Sequence, residues 1–209
     1  FKDGGAQPNL NNAQGVATLN MLKKLADLSN PDYLTHDSEA IKVEWESGNV
    51  AIMTLWASRS GTLLDDEGDA KITAATKLVA PATVGGGNIP AATLWWDGFT
   101  LAKNRSDADA EASFRAMAHA ASSKEMVAKA ADQAVWLVEG FVPGPKSVGV
   151  IEAVKMGAKP YPMLPQMGLM HGALGSEIVE FLQGNESAEQ ALKDVEAAYI
   201  TKATEQGFL

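Results

Sequence analysis

NVAIMTLW, residues 49–56, is the stretch whose reading decides the fold. Val50, Ile52 and Thr54 are β-branched, and Ala51, Met53, Leu55 and Trp56 add further apolar bulk. A short run of this kind, set just after Gly48, reads as a buried strand ending on Trp56. If it is a strand, the helical patterns around it must cover a sheet, and the chain is α/β. KITAATKLVAP, residues 71–81, reads as a second strand, and TLWWDGFTLAK, residues 93–103, as a third. The loop between them, PATVGGGNIPAA, has the proline and glycine density of a flexible connection.

Helices flank these runs. Residues 12–28 place Val16, Leu19, Leu22, Leu25 and Leu28 at three-residue steps, with Met21 beside them, and Ser29-Asn30-Pro31 closes the segment. SEAIKVEWESG follows, with Ser38 as the expected N-cap and Gly48 just past the end. Ser106 opens an acidic-led helix, SDADAEASFRAMAHAA, as the helix dipole favours. Ser122 and Glu125 have capping-box spacing for a further helix to about Ala134. EGFVPGPK, residues 139–146, is a break. The remaining helical patterns cover roughly 148–157, 168–183 and 187–204, the last opened by Ser187 and Gln190. Three strands among so many helices make a thin sheet.

Composition narrows the function classes. The 209 residues are 46% hydrophobic, enough for a sizeable core, and 17 Lys+Arg against 26 Asp+Glu give a net charge of −9. An acidic chain without a basic block is a poor partner for a phosphate backbone, which argues against nucleic acid. No apolar run approaches the roughly 20 residues of a membrane-spanning helix. Cysteine is absent, which removes thiolate chemistry and leaves the compartment open. GFVPGPKS lacks the spacing and context of a phosphate loop, and no HExxH or GxSxG occurs. No metal site and no cofactor are implied. Asn104-Arg105-Ser106 and Asn185-Glu186-Ser187 fit the glycosylation sequon, a triplet that often arises by chance.

Four segments in order carry a resemblance. They are the helix bounded by Gly48 with VAIMTLW after it; DGFTLAKN leading into SDADAEASFRAMAHAASSKEMV; the proline-containing GFVPGPKSV; and KPYPMLPQMGLMHGALGSEIVEFLQGNESAEQALKDVEAAY. Together they resemble solute-binding proteins of sugar ABC transporters, the maltose-binding-protein superfamily. The resemblance spans nearly the whole chain, although no single segment is specific. It implies an α/β fold of the type II periplasmic-binding-protein kind: the C-terminal lobe plus the returning segment of the N-terminal lobe. Residues 1–88 would begin the C-terminal lobe, 89–138 would return to the N-terminal lobe, and 139–209 would supply the crossover and closing helices. Hinges would lie near 88–90 and 139–146. Family members are longer, so a C-terminal fragment is expected, with apolar helix faces at Phe114, Met117, Met126 and Val127 left for an absent partner. The implied partners are a sugar or polyol and a membrane permease, and the implied location is periplasmic or extracellular, with or without a lipid anchor.

The site candidates follow from both lines of reasoning. In a strand Trp95, Asp97 and Phe99 share one face and Trp96 takes the other. Sugars offer apolar C–H patches to aromatic faces and hydroxyls to carboxylates, so Trp95, Trp96 and Asp97 together suit a sugar. The plainer alternative is two core or interface tryptophans, with Asp97 capping a turn. The resemblance marks Trp56 as a ligand-stacking aromatic, and Arg59 is a donor to hydroxyl or carboxylate; a surface tryptophan and a solvated arginine are the alternative. His171, between Gly168 and Gly172, corresponds by resemblance to an aromatic ligand contact, although a lone histidine is more often structural. Met170 and Gln166 are weaker candidates. His36 and His119 read as structural, and Glu44 with Trp45 as part of an amphipathic helix.

The expected function is capture of a sugar or polyol without catalysis, for delivery to a permease. A glycosidase-like enzyme is the alternative from another class, but it needs two carboxylates about 5–10 Å apart, and Asp97 stands alone among the aromatics. A sugar sensor without transport remains a third reading.

Overall fold

Asn12 begins the first helix with its own side chain: Oδ1 accepts from the amides of Gln14 (2.9 Å) and Gly15 (3.0 Å), donors that otherwise have no partner. Local chemistry of this kind sets most of the architecture in the computed structural model, which describes residues 1–65, 68–95, 97–136 and 138–209. Among the described residues the order is α1 (Ala13–Asp27), α2 (Ser38–Glu46), α3 (Ala57–Ser60), α4 (Ala70–Ala75), β1 (Thr93–Leu94), α5 (Asp107–Ser122), α6 (Lys124–Lys129), α7 (Val148–Lys155), β2 (Lys159–Pro160), α8 (Met167–Glu177), α9 (Val179–Gln183) and α10 (Ala188–Glu205). The chain divides into two units, Phe1–Thr35 with Pro162–Leu209, and His36–Tyr161.

The first unit is built on α10. Ala188, Ala191, Leu192, Val195, Tyr199 and Ala203 are its buried residues, a stripe at helical spacing. Leu192, Ala188 and Ala191 join Leu19 and Phe181 in one cluster; Val195, Tyr199 and Ala203 join Met170 and Ala173 in a second. The N-terminal segment is tied to this helix by polar contacts as well. The Tyr199 hydroxyl donates to the Ala6 carbonyl (2.6 Å), and Glu196 Oε1 accepts from the amides of Leu10 (2.6 Å) and Asn11 (2.8 Å).

The leucine series on α1 behaves differently from its reading. Leu19 is buried, Leu22 and Leu25 are exposed, and Leu28 just beyond the helix is 86% exposed. Geometry explains the drift. At 3.6 residues per turn, a three-residue step falls about 60° short of a full turn, so the series winds away from the core it meets at Leu19.

In the second unit the N-cap of α2 is Asp37 rather than Ser38; its carboxylate accepts from the amides of Glu39 and Ala40. Gly48, at φ +76°, ends the helix in the left-handed conformation glycine adopts without steric cost. Beyond it, residues 49–56 form no strand, and Ile52 is 89% exposed. The second expected strand is also absent. Asp69 caps α4 by accepting from Lys71, and the alanines and lysine of this segment are helix formers. Of the third, only Thr93 and Leu94 pair, in parallel, with Lys159 and Pro160.

The expected α/β architecture of the type II periplasmic-binding-protein kind, a C-terminal lobe with a returning N-terminal segment, is therefore corrected. Helix accounts for 54% and strand for 3%, with one small two-stranded parallel sheet. The physical reason lies in pairing. A short apolar run is equally compatible with strand, helix and extended coil, and it becomes a strand only where another segment completes its hydrogen bonds.

The remaining helices are locally encoded. Ser106 Oγ accepts from the Asp109 amide (3.2 Å), and α5 carries a Glu111–Arg115 pair at 2.6 Å. Ser123, one residue later than expected, caps α6 through the Met126 amide (3.4 Å). Ser187 caps α10 through Gln190 (3.2 Å). None of the described helices is long and apolar enough to cross a membrane.

Candidate functional site

The parallel pairing of β1 with β2 does more than join two short segments. The Tyr161 amide donates to the Leu94 carbonyl (2.9 Å), which carries the register one residue further and sets Tyr161 beside Trp95. Their rings stack with centroids 3.9 Å apart and planes at 24°. The indole is fixed at its edge as well, because Trp95 Nε1 donates to Thr93 Oγ1 (2.8 Å). Trp95 nevertheless stays 47% exposed. The outcome is a two-ring platform, held by stacking, by a hydrogen bond and by backbone pairing, that presents aromatic surface to solvent.

Asp97 follows two residues later and is exposed. It lies in irregular backbone, since pairing stops at Leu94, so strand alternation does not fix its direction relative to Trp95. Phe99 is likewise exposed. Trp96, the other half of the tryptophan pair, lies outside the described residues.

Trp56 and Arg59 form a second locale in the same unit. Trp56 is the residue before α3, and its carbonyl accepts from the Arg59 amide (2.9 Å) and the Ser60 amide (2.8 Å). Its indole is 58% exposed. Among the described residues, no other ring or hydrogen-bonding group meets that side chain. The Arg59 guanidinium is engaged by Glu39 Oε1 at 2.9 Å, with both side chains solvent-facing. Exposed pairs of this kind contribute at most about 1 kcal/mol. A ligand hydroxyl or carboxylate therefore meets little energetic competition for Arg59.

His171 belongs to the other unit. It sits exposed on α8, next to the buried Met170. Gln166, also in that unit, is buried and donates to the Gly5 carbonyl (3.3 Å), which makes it a structural tie. No group of three or more Asp, Glu or His side chains comes together as a metal cage among the described residues.

Tyr161 is the residue that sequence reasoning missed. A signal was present in KPYP: residues preceding proline favour extended backbone, so Tyr161, before Pro162, was predisposed to an extended segment displaying its ring. Its pairing with Trp95, more than sixty positions away, was not marked by any local pattern. Comparison with known proteins adds no relative, since no protein-family profile matches the chain and no curated protein matches it in sequence.

Proposed function

We propose that this chain is a non-catalytic binding protein for a sugar or polyol, captured on the platform of Trp95 and Tyr161, with Asp97, two residues beyond Trp95, as its carboxylate. One observation carries the reading: a stacked Trp–Tyr pair, pinned at 3.9 Å, with its tryptophan still half open to solvent. A pre-positioned aromatic face gains contact with the C–H face of a sugar without first having to be ordered. A carboxylate nearby adds charge-assisted hydrogen bonds to hydroxyls. Delivery to a membrane permease, and the periplasmic or extracellular setting this requires, are supported by the resemblance of the sequence segments alone.

Binding is preferred to hydrolysis because Asp97 is the one carboxylate in residues 93–103, and a glycosidase uses two. Calorimetric titration with a panel of monosaccharides, disaccharides and alditols tests the proposal. At least one should bind saturably, and Trp95→Ala should weaken it about 2- to 13-fold, the equivalent of 0.5–1.5 kcal/mol for one aromatic contact. An unaltered affinity in Trp95→Ala would remove the platform from the account. Release of the aryl group from an aryl glycoside, abolished by Asp97→Asn, would turn the reading to an enzyme.

A further inference from the structure

A separate cavity lies in the second unit between the end of α2, the segment after it and the end of α4. Its volume is about 370 Å³, and Trp45, Val50, Ile72, Ala75, Thr76 and Lys77 line it. It is an open pocket on the surface, and its volume lies within the range of about 300–1,000 Å³ seen for small-molecule sites. Trp45 is fixed as one wall: its Nε1 donates to Thr76 Oγ1 (3.0 Å), and that hydroxyl donates onward to the Ile72 carbonyl (2.8 Å). Thr76 is buried, so both of its polar commitments are internal and the indole is held without ligand. The one charged lining residue is Lys77, which makes no ion pair or hydrogen bond with another described residue. The cavity thus combines a pre-set flat aromatic wall, aliphatic side chains and a single uncommitted cation.

We propose that this cavity binds a small aromatic carboxylate, its ring against Trp45 and its carboxylate on Lys77. A neutral apolar molecule would leave the ammonium unused, and a neutral sugar would bring it no counter-charge. Of the classes that fit the volume, an aromatic anion satisfies both the wall and the charge. The site is independent of the sugar platform.

The probe is 3-phenylpropanoate, titrated into the full chain by calorimetry beside its neutral counterpart 3-phenylpropanol. The acid should bind saturably and more tightly than the alcohol. Lys77→Gln should weaken the acid by about tenfold or more, leaving the alcohol unchanged, because a hydrogen bond to a charged group is lost. Ala75→Phe, which fills the cavity from an exposed position, should abolish binding of both. No saturable binding of the acid, an alcohol that binds equally well, or equal affinity in Lys77→Gln would each overturn the proposal.

Discussion

Gly15 stands in the first turn of α1, where a Cβ would lie 1.9 Å from the Leu10 carbonyl oxygen and 3.0 Å from Leu192 Cδ1. Alanine would improve intrinsic helix propensity by about 1 kcal/mol, but the obstruction is backbone and cannot rotate aside. Gly15→Ala should therefore destabilise the first unit by about 1–3 kcal/mol net, read as a lowered denaturation midpoint; an equal or raised midpoint would show that the N-terminal segment is not held against α1 as described. Tyr199 supplies a pH-dependent test. Burial pushes its phenol above the ordinary value of 10.0. The folded state then keeps a proton that the unfolded chain releases from about pH 10 upward, so this contribution is complete below pH 10 and declines as pH rises through the raised value. Tyr199→Phe also loses the bond to Ala6, a cost of about 1 kcal/mol at neutral pH. The stability difference between wild type and Tyr199→Phe should accordingly shrink from about pH 10 upward in urea unfolding. A constant difference across that window would mean that Tyr199 ionises normally in the folded protein.

Two long helices of similar length have opposite supports. α10 buries an entire stripe, whereas α5 has no buried residue and Phe114 on it is 61% exposed. Leu192→Ala should cost about 2–5 kcal/mol and Phe114→Ala within about 0.5 kcal/mol in denaturant unfolding; comparable losses would contradict this division. What holds α5 is local: the Ser106 cap, Asp107 and Asp109 in its first turn, and the Glu111–Arg115 pair. Local support is also what made it legible. The caps at Ser106 and Ser187, and the glycine after α2, lie within a few residues of what they stabilise, so helix positions could be read closely. Asp37 and Ser123 displaced the expected caps by one residue, because adjacent acceptors compete and the backbone at the turn decides between them. Strands had no such local guarantee. Residues 49–56 carry side chains suited to a sheet, but the sequence does not say which segment would pair with them, and among the described residues none does.

Across the whole chain the same distinction governs the candidate site. Trp95 and Asp97 drew notice because large aromatics and a carboxylate are costly neighbours without a purpose, and Trp56 through the resemblance; each is exposed. Tyr161 went unread because its role exists only once β2 is laid beside β1. His171 falls in the first unit, whereas Trp56, Arg59, Trp95 and Asp97 fall in the second, a division that linear order does not reveal. The most direct measurement of the sugar-binding account is isotope-filtered NMR of the full chain with whichever sugar or alditol binds, recording magnetisation transfer between ligand C–H protons and assigned aromatic side chains. The account predicts transfer from one C–H face of the ligand to the indole of Trp95, with those ligand protons shifted upfield by the ring and the effect lost in Trp95→Ala. Transfer confined to other aromatics such as Trp56, or ligand shifts unchanged in Trp95→Ala, would contradict it.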